Sequence, residues 1–430
     1  MNINFLHLLI IFIVVKIEAY RILGLFPLPF KSHSIFSQAL MKGLAKKGHH
    51  VDVISYHQEL KPPKNYQTIL NLSNISYAHA IGKFNSIQEP LNRNRDIMSL
   101  AKFDYGLHIC NLMSHKKMQD IIQNLSNNSR YDLFITQGTS TNCFYGIGTL
   151  LNVPIISITP TLEFSIHARN IGNPLYTSFH LTALTWKSKI ETFWDRVTNT
   201  VTALINEYRF KSYTENQSEA MKKYLAPNIP TVREVEKTIS LLIVNSYHSI
   251  QGLRPTVPGL IEVGGLHIIA DDSSLTQDLK QWMDESIDGV VLISFGSLIP
   301  IESLPQETIK SIFSTFAKLS PIRILMKVTQ GFKFPFETPK NLLCMTWIPQ
   351  ISVLKHNNTR LFITHGGLHS IMETIYFAIP VIGIPIYYDQ HQNVQIVVDK
   401  GMGLQIEIDK ITEDTLNTLL SKIINDPKFR

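Results

Sequence analysis

Apolar positions along the chain predict repeated strand–helix units. The segment RILGLF at 21–26 is a continuous apolar run, typical of a buried strand. After a short loop, residues 34–48 carry their apolar side chains on one helical face and end at Gly48, a typical helix stop. HVDVIS at 50–55 is the next predicted strand. A strand, a helix and a second strand in this order predict a parallel sheet with helices on its faces.

The pattern continues and then begins a second time. A helix is predicted over 303–319, and further strands are predicted at 131–136, 153–159, 289–297, 323–328, 341–346, 360–364 and 381–385. Residues 246–288 are rich in glycine and proline and predict a linker. We therefore expect an α/β protein in which two Rossmann-like domains, 20–245 and 289–430, face each other across a cleft. Open parallel sheets bind ligands in such a crevice.

Composition limits the class of partner. The chain has 430 residues, of which 44% are hydrophobic and 17% charged, as expected for two globular domains rather than a disordered protein. The net charge of +6 comes from scattered lysines and arginines, without a basic stripe interleaved with aromatic residues. A nucleic-acid partner is therefore not expected.

The N-terminus predicts a secretory route. Phe5–Val15 is an apolar run of eleven residues, too short to span a bilayer, and Ala19 precedes a plausible cleavage point. We interpret residues 1–19 as a signal peptide; a buried strand is the alternative. Six glycosylation sequons agree with passage through the endoplasmic reticulum lumen, at Asn71, Asn74, Asn124, Asn127, Asn216 and Asn357. No later apolar stretch is long enough for a membrane anchor. The three cysteines are too few for a disulfide framework, and we expect buried free thiols.

The segment THGGLHSIMETIYFAIPVIGIPIYYDQHQN at 364–393 allows three interpretations. His365, His369 and Glu373 have the spacing of metal ligands on one helical face. However, the glycine pair after His365 predicts a tight turn, so His365 lies outside the helix and that geometry is lost. A purely structural strand–turn–helix explains the glycines but not Glu373. The third interpretation, an anion cradle at a helix N-terminus, explains both and is preferred.

In the cradle interpretation, each side chain has a role in binding a nucleotide-sugar. His365, Gly366, Gly367 and Ser370 would surround a diphosphate, and Glu373 would accept hydrogen bonds from ribose hydroxyls. The remaining predicted contacts are a second phosphate-facing turn at Ser297, an aromatic plane for a base at Trp347, an amide at Gln350, and hydroxyl-binding groups at Asp389 and Gln390.

His33 is a candidate general base from its position alone. It follows the first strand at the entrance of a helix and is expected to face the cleft between the domains. The positive end of the helix favours a neutral imidazole, which a general base requires. The structural alternative is that His33 caps the helix.

These motifs together strongly resemble the UDP-glycosyltransferases of animals, insect-like members and UDP-glucuronosyltransferases included. The resemblance covers most of the chain and rests on SHSIFSQALMKGLAKKGHHVDVIS, LLIVNSYHSI, DGVVLISFGS, and WIPQ followed by the segment at 364–393. It implies a GT-B fold, with UDP-sugar bound by the C-terminal half and a small lipophilic acceptor bound by the N-terminal half. Trp347 would stack on uracil and Gln350 would bind it, with His33 as the base. The implied mechanism is an inverting single displacement without a metal.

The sequence departs from the family pattern at several positions. The base usually pairs with a carboxylate, but Gln137 and Asn142 stand at the two places where it is expected. An amide can orient an imidazole but does not stabilise an imidazolium as a carboxylate does. Ala378 replaces a usual glycine, and His369 replaces an asparagine or a small residue. Relatives usually continue beyond NDPKFR with a membrane-spanning helix, so we expect either a partial sequence or a soluble lumenal form without that anchor.

The sequence therefore predicts a hexosyltransferase that acts from UDP-sugar on hydroxyl groups of lipophilic compounds. Glucose is favoured over glucuronic acid, because no basic clamp for a carboxylate is evident. The rival is a catalytically inactive relative that binds UDP-sugar or a lipophile, or modulates an active partner; homo-oligomerisation stays open. A nicotinamide-dependent dehydrogenase is disfavoured, since no GxGxxG follows the first strand.

Overall fold

The computed structural model describes residues 19–75, 84–92, 105–128, 130–163, 165–182, 189–271 and 273–429. The predicted signal peptide, except for its last residue, lies outside the described residues. Thirteen strands are numbered in chain order: β1 Arg21–Phe26, β2 His50–Ser55, β3 Tyr66–Asn71, β4 Leu133–Gln137, β5 Ile155–Thr159, β6 Ile239–Val244, β7 Leu260–Glu262, β8 Val290–Ser294, β9 Arg323–Lys327, β10 Leu342–Met345, β11 Thr359–Thr364, β12 Val381–Gly383 and β13 Gly403–Gln405.

The described helices are numbered in the same way: α1 Lys31–Lys46, α2 Gln88–Asn92, α3 Tyr105–Cys110, α4 Lys116–Asn128, α5 Tyr145–Leu151, α6 Ser165–Asn170, α7 Phe193–Thr214, α8 Gln217–Tyr224, α9 Val232–Glu236, α10 His248–Gln251, α11 Leu266–Ile269, α12 Gln277–Asp284, α13 Gln306–Lys318, α14 Gln350–Leu354, α15 Leu368–Tyr376, α16 Gln390–Asp399 and α17 Glu413–Asn425. In the part of the chain that the structure describes, no helix is both long and apolar enough to cross a membrane.

The strands form two parallel sheets, in the order β3-β2-β1-β4-β5-β6-β7 and β10-β9-β8-β11-β12-β13. In each sheet the strand order reverses beside the first strand, between β1 and β4 and between β8 and β11. A crevice opens at such a reversal, because the two connections leave toward opposite sides of the sheet. The residues after β1, β4, β8 and β11 therefore converge on the expected binding region.

The predicted elements agree with the structure to within a few residues at their ends. The helix predicted over 34–48 is α1, and the helix predicted over 303–319 is α13. Four strands were not predicted, namely β3, β6, β7 and β13, and the long helix α7 was not predicted either. Part of the region expected to be a linker belongs to the first sheet, since β7 pairs with β6.

Two main hydrophobic cores stabilise the two sheets, and a segment of the N-terminal half also packs against the C-terminal half. Residues Phe84 and Ile87, which belong to the N-terminal half by sequence, pack in the core of the C-terminal half. The backbone N–H of Ile87 donates to the hydroxyl of Ser303 at 2.7 Å, and the ring of Phe84 lies edge-on to Tyr387 with centroids 5.3 Å apart. This segment therefore ties the N-terminal half to the loops at the carboxyl edge of the second sheet.

The expectation of three free thiols is wrong. Cys110 and Cys143 form a disulfide, with their Cα atoms 6.1 Å apart, and both are fully buried in the N-terminal core. They are separated by 33 residues, but the packing of α3 against the turn that follows β4 brings them together. Only Cys344 is free, and burial raises the pKa of its thiol to about 11.

Candidate active site

His33 lies in the first turn of α1, after the loop that follows β1. Its Nδ1 atom is 2.6 Å from Nε2 of Gln137, at the end of the neighbouring strand β4. Gln137 is 1% exposed, and its amide also lies 3.3 Å from the hydroxyl of Thr139. Burial lowers the pKa of His33 to about 4, against the smaller opposing effect of the contact with Gln137. The imidazole is therefore neutral at physiological pH.

Gln137, rather than Asn142, takes the place beside the imidazole. Asn142 is fully buried and donates through Nδ2 to the carboxylate of Glu236. Asp132, interpreted from the sequence as structural, accepts a backbone N–H of β1 at 2.7 Å. His33 thus faces an amide.

The imidazole of His365, in the turn between β11 and α15, packs against Gly367 of the same turn and Gly296 of the turn after β8. A Cβ atom added to Gly296 or Gly367 would lie 3.0 or 2.8 Å from ring atoms of His365. Gly366, with φ of +86°, also has no room for a side chain, because its Cβ would lie 2.3 Å from Val394. Burial, with a smaller effect from the nearby charge of Lys327, lowers the pKa of His365 to about 4.

The first turn of α15 has backbone N–H groups that no capping side chain binds. Helix α15 begins at Leu368, so His365 lies before it, and the spacing expected of a metal site on one helical face does not occur. Gly367 is the N-cap and supplies no side chain to bind the first N–H groups of the helix. Ser297 is half-buried in the turn after β8, the strand next to β11. These turns form a cradle suited to an anion.

Glu373 is buried one turn further along α15 and is held from two sides. Its Oε1 lies 3.0 Å from Nε2 of His267, and its Oε2 accepts the side-chain amide of Gln350 at 2.6 Å. The same amide group of Gln350 donates to the hydroxyl of Ser370 at 3.0 Å. The amide hydrogens of Gln350 are thereby used, which leaves its carbonyl oxygen as the group that can accept from a ligand. Trp347, three residues before Gln350, is 54% exposed, so a ring face is accessible.

Asp389 and Gln390 lie at the start of α16. Asp389 accepts from the side chain of Asn393 at 2.8 Å, and the same amide group donates to the carbonyl of Gly366 at 3.0 Å. Asn393 therefore links the cradle to Asp389. The side-chain carbonyl oxygen of Gln390 accepts hydrogen bonds from the backbone N–H groups of Ile386 and Tyr387. Burial raises the pKa of Asp389.

His369 lies where the surroundings of His33 in the N-terminal half meet the cradle in the C-terminal half. Its ring stacks on His267 with centroids 4.3 Å apart and lies 6.3 Å from the ring of Phe36 on α1. The pKa of His369 is well below its ordinary value, chiefly because of burial and then because of electrostatic repulsion from the neighbouring imidazoles of His267 and His33. The start of α15 therefore lies next to the start of α1, with the cradle opposite the candidate base.

Two residues of the site were not singled out from the sequence. His267, on α11, is the partner of Glu373 across 106 residues. Lys327, at the carboxyl end of β9, is close enough to influence the pKa of His365. A lysine at the carboxyl end of a predicted strand was a readable signal, whereas the His267–Glu373 pair depends on the tertiary fold alone.

No group of three or more His, Cys, Asp or Glu side chains that could hold a metal ion occurs among the described residues. A cavity of about 470 Å³ lies between the halves and is lined by residues that include Phe179, Leu181, Ile190, Arg254 and Ile396. None of the predicted site residues lines it. Lys189 and Asp399, from opposite halves, approach to 3.8 Å at its border.

The fold is that of the GT-B glycosyltransferases, as predicted. The structure is similar to a UDP-glucosyltransferase from Polygonum tinctorium capable of glucosylating indoxyl, with a TM-score of 0.60 and 15% sequence identity over 95% of this chain and 90% of that one. At this identity the likeness shows the fold alone.

Sequence comparison gives the family. Residues 29–430 match the UDP-glucoronosyl and UDP-glucosyl transferase family, and the chain belongs to it. It is 29% identical to UDP-glycosyltransferase UGT5 of Dactylopius coccus, over 96% of this chain and 78% of that protein. It is 28% identical to 2-hydroxyacylsphingosine 1-beta-galactosyltransferase of Rattus norvegicus, over 96% and 75%. The family resemblance is confirmed, and the protein is a glycosyltransferase whose donor is a UDP-sugar.

Proposed function

We propose that this protein transfers glucose from UDP-glucose to a hydroxyl group of a small lipophilic acceptor, with inversion and with His33 as the general base. The observation that carries the proposal is a neutral imidazole at the start of α1, next to the uncapped N-terminus of α15. One group can remove a proton while the other receives a diphosphate leaving group.

The proposed reaction is a single displacement. Nε2 of His33 takes the proton of the acceptor hydroxyl as its oxygen bonds to the anomeric carbon. The bond from that carbon to the β-phosphate oxygen breaks, and UDP leaves with the electron pair. Its charge is met by the N–H groups at the start of α15 and by His365. Alignment of two bound substrates across the cleft supplies a large part of the acceleration.

The role of His33 requires one particular tautomer. If Gln137 donates to Nδ1, the ring proton lies on Nε2, and no lone pair remains there to accept a proton. With the amide turned by 180°, the Gln137 carbonyl accepts from Nδ1–H and leaves Nε2 as the base. Thr139 is compatible with this orientation, because its hydroxyl can donate to the carbonyl as well as accept from the amide. We assign Gln137 this orienting role.

The proposed donor contacts follow from the groups left available. Trp347 stacks on uracil, and the carbonyl of Gln350 accepts from the uracil N3–H. Glu373 binds the ribose through the lone pairs that its two protein partners leave unused. Ser297, Gly366, Gly367 and Ser370 contact the diphosphate, and no metal takes part.

Glucose is the preferred sugar because of the charge beside the predicted sugar contacts. Asp389 and Gln390 border this region with a carboxylate and an amide, and Asn393 lies behind them. A glucuronic acid carboxylate would face Asp389 instead of a cation. The hydroxyl groups of a hexose suit these acceptors and donors.

The secretory pathway is the proposed location, in the lumen of the endoplasmic reticulum. The buried Cys110–Cys143 disulfide is typical of an oxidising compartment. Among the sequon asparagines whose side chains the structure describes, the exposed ones, as glycosylation requires, are Asn74, Asn124, Asn216 and Asn357.

The test is transfer of labelled sugar from UDP-glucose or UDP-glucuronic acid to a simple phenol, by the native chain and by His33→Ala. We expect transfer from UDP-glucose, a loss of about a hundredfold or more in His33→Ala, and unchanged binding of UDP by both. Equal transfer by both chains would contradict the role of His33. Binding of UDP without transfer by the native chain would support an inactive binding protein instead.

A further inference from the structure

Two stacked imidazoles join the halves of the molecule beside Glu373. The rings of His267 and His369 have centroids 4.3 Å apart and planes inclined by 22°. His267 lies on α11, and its Nε2 is 3.0 Å from Oε1 of Glu373 on α15. His369 lies on α15 and donates a hydrogen bond to the backbone carbonyl of Pro160, which directly follows β5. Each imidazole is therefore bonded to the half of the molecule that does not carry it.

The first sheet fixes the backbone that carries His267. The N–H of Val263, just after β7, donates to the carbonyl of Val244 in β6 at 3.0 Å. The N–H of Gly265, the N-cap of α11, donates to the side chain of the buried Asn245 at 3.2 Å. Helix α11 also packs against α1. His267 therefore belongs structurally to the N-terminal half, although Glu373 belongs to the C-terminal half.

Apolar packing holds α11 against α15. Ile268, the residue after His267, shares a small buried core with Leu368 and Met372 of α15. His267 itself is 2% exposed, so its contact with Glu373 is made away from water. A hydrogen bond to a charged group is electrostatically stronger in such surroundings than in water.

Two partners are needed to fix the plane of a carboxylate. Rotation about the last side-chain bond of a glutamate has broad minima, so a single hydrogen bond holds one oxygen and leaves the other free to turn. Gln350 holds Oε2 of Glu373 at 2.6 Å, and His267 holds Oε1. With both partners in place, the unused lone pairs of the carboxylate keep fixed directions. A pair of neighbouring ribose hydroxyls binds more tightly to acceptors that are already oriented.

We propose that His267 is a positioning residue that orients the carboxylate of Glu373 for the ribose hydroxyls of the donor. Recognition of the ribose by the C-terminal half then depends on a side chain of the N-terminal half. The inference rests on the proposed role of Glu373 as the ribose ligand. His267 acts through Glu373 and does not contact the substrate. The bond from His369 to Pro160 keeps the two halves in the arrangement that this contact requires.

The test compares the binding of UDP with that of 2′,3′-dideoxy-UDP, which lacks both ribose hydroxyls but keeps the base and the diphosphate. Isothermal titration calorimetry of the full-length chain measures both Kd values. We expect the native chain to bind UDP about tenfold or more tightly than the dideoxy compound, because only UDP offers hydroxyls to a charged acceptor.

Replacements of His267 separate its N–H group from its ring. His267→Phe keeps a ring that can stack on His369 but has no N–H for Glu373. We expect its preference for UDP to fall about tenfold, toward equal binding of the two nucleotides. His267→Gln has no ring but carries an amide N–H near the position of Nε2, so it should keep most of the preference.

Two further variants complete the comparison. His267→Asn carries the same amide one carbon shorter, too short to reach Glu373, and should lose the preference as His267→Phe does. It also replaces His267→Phe in the comparison if the larger ring prevents folding. The matched control is His356→Phe, which removes an imidazole 3.0 Å from the carboxylate of Asp284, outside the site. The control should prefer UDP as the native chain does.

Three results would overturn the inference. The shorter variant and His267→Phe could keep the full preference for UDP, or they could lose affinity for both nucleotides equally, which would mean that the imidazole only packs. His267→Gln could also lose the preference completely, which would assign the effect to the ring. Circular dichroism and thermal unfolding establish that each variant is folded.

The native chain tests the proposed function separately. If the native chain bound the two nucleotides equally, Glu373 would not bind the ribose, and the inference about His267 would be overturned with that role. If the native chain preferred UDP and the variants of His267 did so equally, only the inference about His267 would be overturned.

Discussion

In the C-terminal half of the cleft, the carboxylate of Glu373 is held by Gln350 and His267, beside a glycine-lined cradle. In the N-terminal half, His33 faces the amide of Gln137, where related enzymes are expected to carry a carboxylate. The C-terminal half therefore has a charged group with two fixed partners. The N-terminal half has a buried imidazole whose pKa is lowered to about 4, without a negative charge to stabilise its protonated form.

This difference predicts that the two halves affect different steps: the C-terminal half affects binding of the donor, and the N-terminal half affects the rate of transfer. In our proposal, the C-terminal half holds the UDP-sugar before any reaction begins. The N-terminal half can orient a neutral base, but the imidazolium formed during transfer gains little from Gln137. We therefore expect firm donor binding together with slow transfer.

The largest expected effect on stability concerns the disulfide, which only the N-terminal half contains. Replacing Cys110 and Cys143 by alanine should lower the free energy of unfolding by about 4 kcal/mol, because the open loop gains entropy in the unfolded chain. Urea unfolding followed by circular dichroism measures this change. Cys344→Ala, in the other half, is the control and should change stability much less. If both replacements lowered the free energy of unfolding by the same amount, the disulfide would contribute no specific stability to the N-terminal half.

Donor binding should depend on the charge of Glu373. Glu373→Gln keeps the shape of the side chain but removes the charge that would bind ribose hydroxyls, so we expect the Kd for UDP-glucose to rise about tenfold or more. Isothermal titration calorimetry measures the Kd. Glu413→Gln on α17, where the carboxylate pairs with Lys318, is the control. An unchanged Kd in Glu373→Gln would remove Glu373 from the donor site.

The smallest effect concerns Ala378, where a glycine is usual. Its φ is +53°, a conformation that a side chain disfavours. Ala378→Gly should therefore stabilise the C-terminal half by about 1 kcal/mol, seen as a higher Tm. Ala317→Gly near the end of helix α13 makes the same replacement where φ is helical and should destabilise. A lower Tm for Ala378→Gly would mean that this strain has little energetic weight.

Much of the cradle could be predicted from sequence because its residues are close along the chain. His365, Gly366 and Gly367 follow one strand, and the start of α15 at Leu368 was expected from the same glycine pair. Continuous apolar runs also predicted most strands, since both faces of a parallel sheet are covered. Local patterns of this kind need no knowledge of distant contacts.

The contacts that were missed are long-range or depend on context. The His267–Glu373 pair and the Cys110–Cys143 disulfide join residues that only the tertiary fold brings together. Helix α7 was also missed, and its buried face carries Asp195, Asn199 and Glu207 instead of a continuous apolar stripe. Gln137 and Asn142 were equivalent in sequence, and only the structure shows which of them contacts His33.

The pH dependence of transfer by the native chain and by Gln137→Glu tests the central claim most directly. If His33 is the base, as we propose, its neutral form is the active one, and activity should fall as pH drops through its pKa. In the native chain that pKa is about 4, and activity should persist well below pH 6. A glutamate at 137 favours the imidazolium, which should move the acidic limb upward and raise the rate at neutral pH about tenfold or more. An acidic limb at the same pH in both chains, with equal rates, would contradict the assignment of His33 and Gln137.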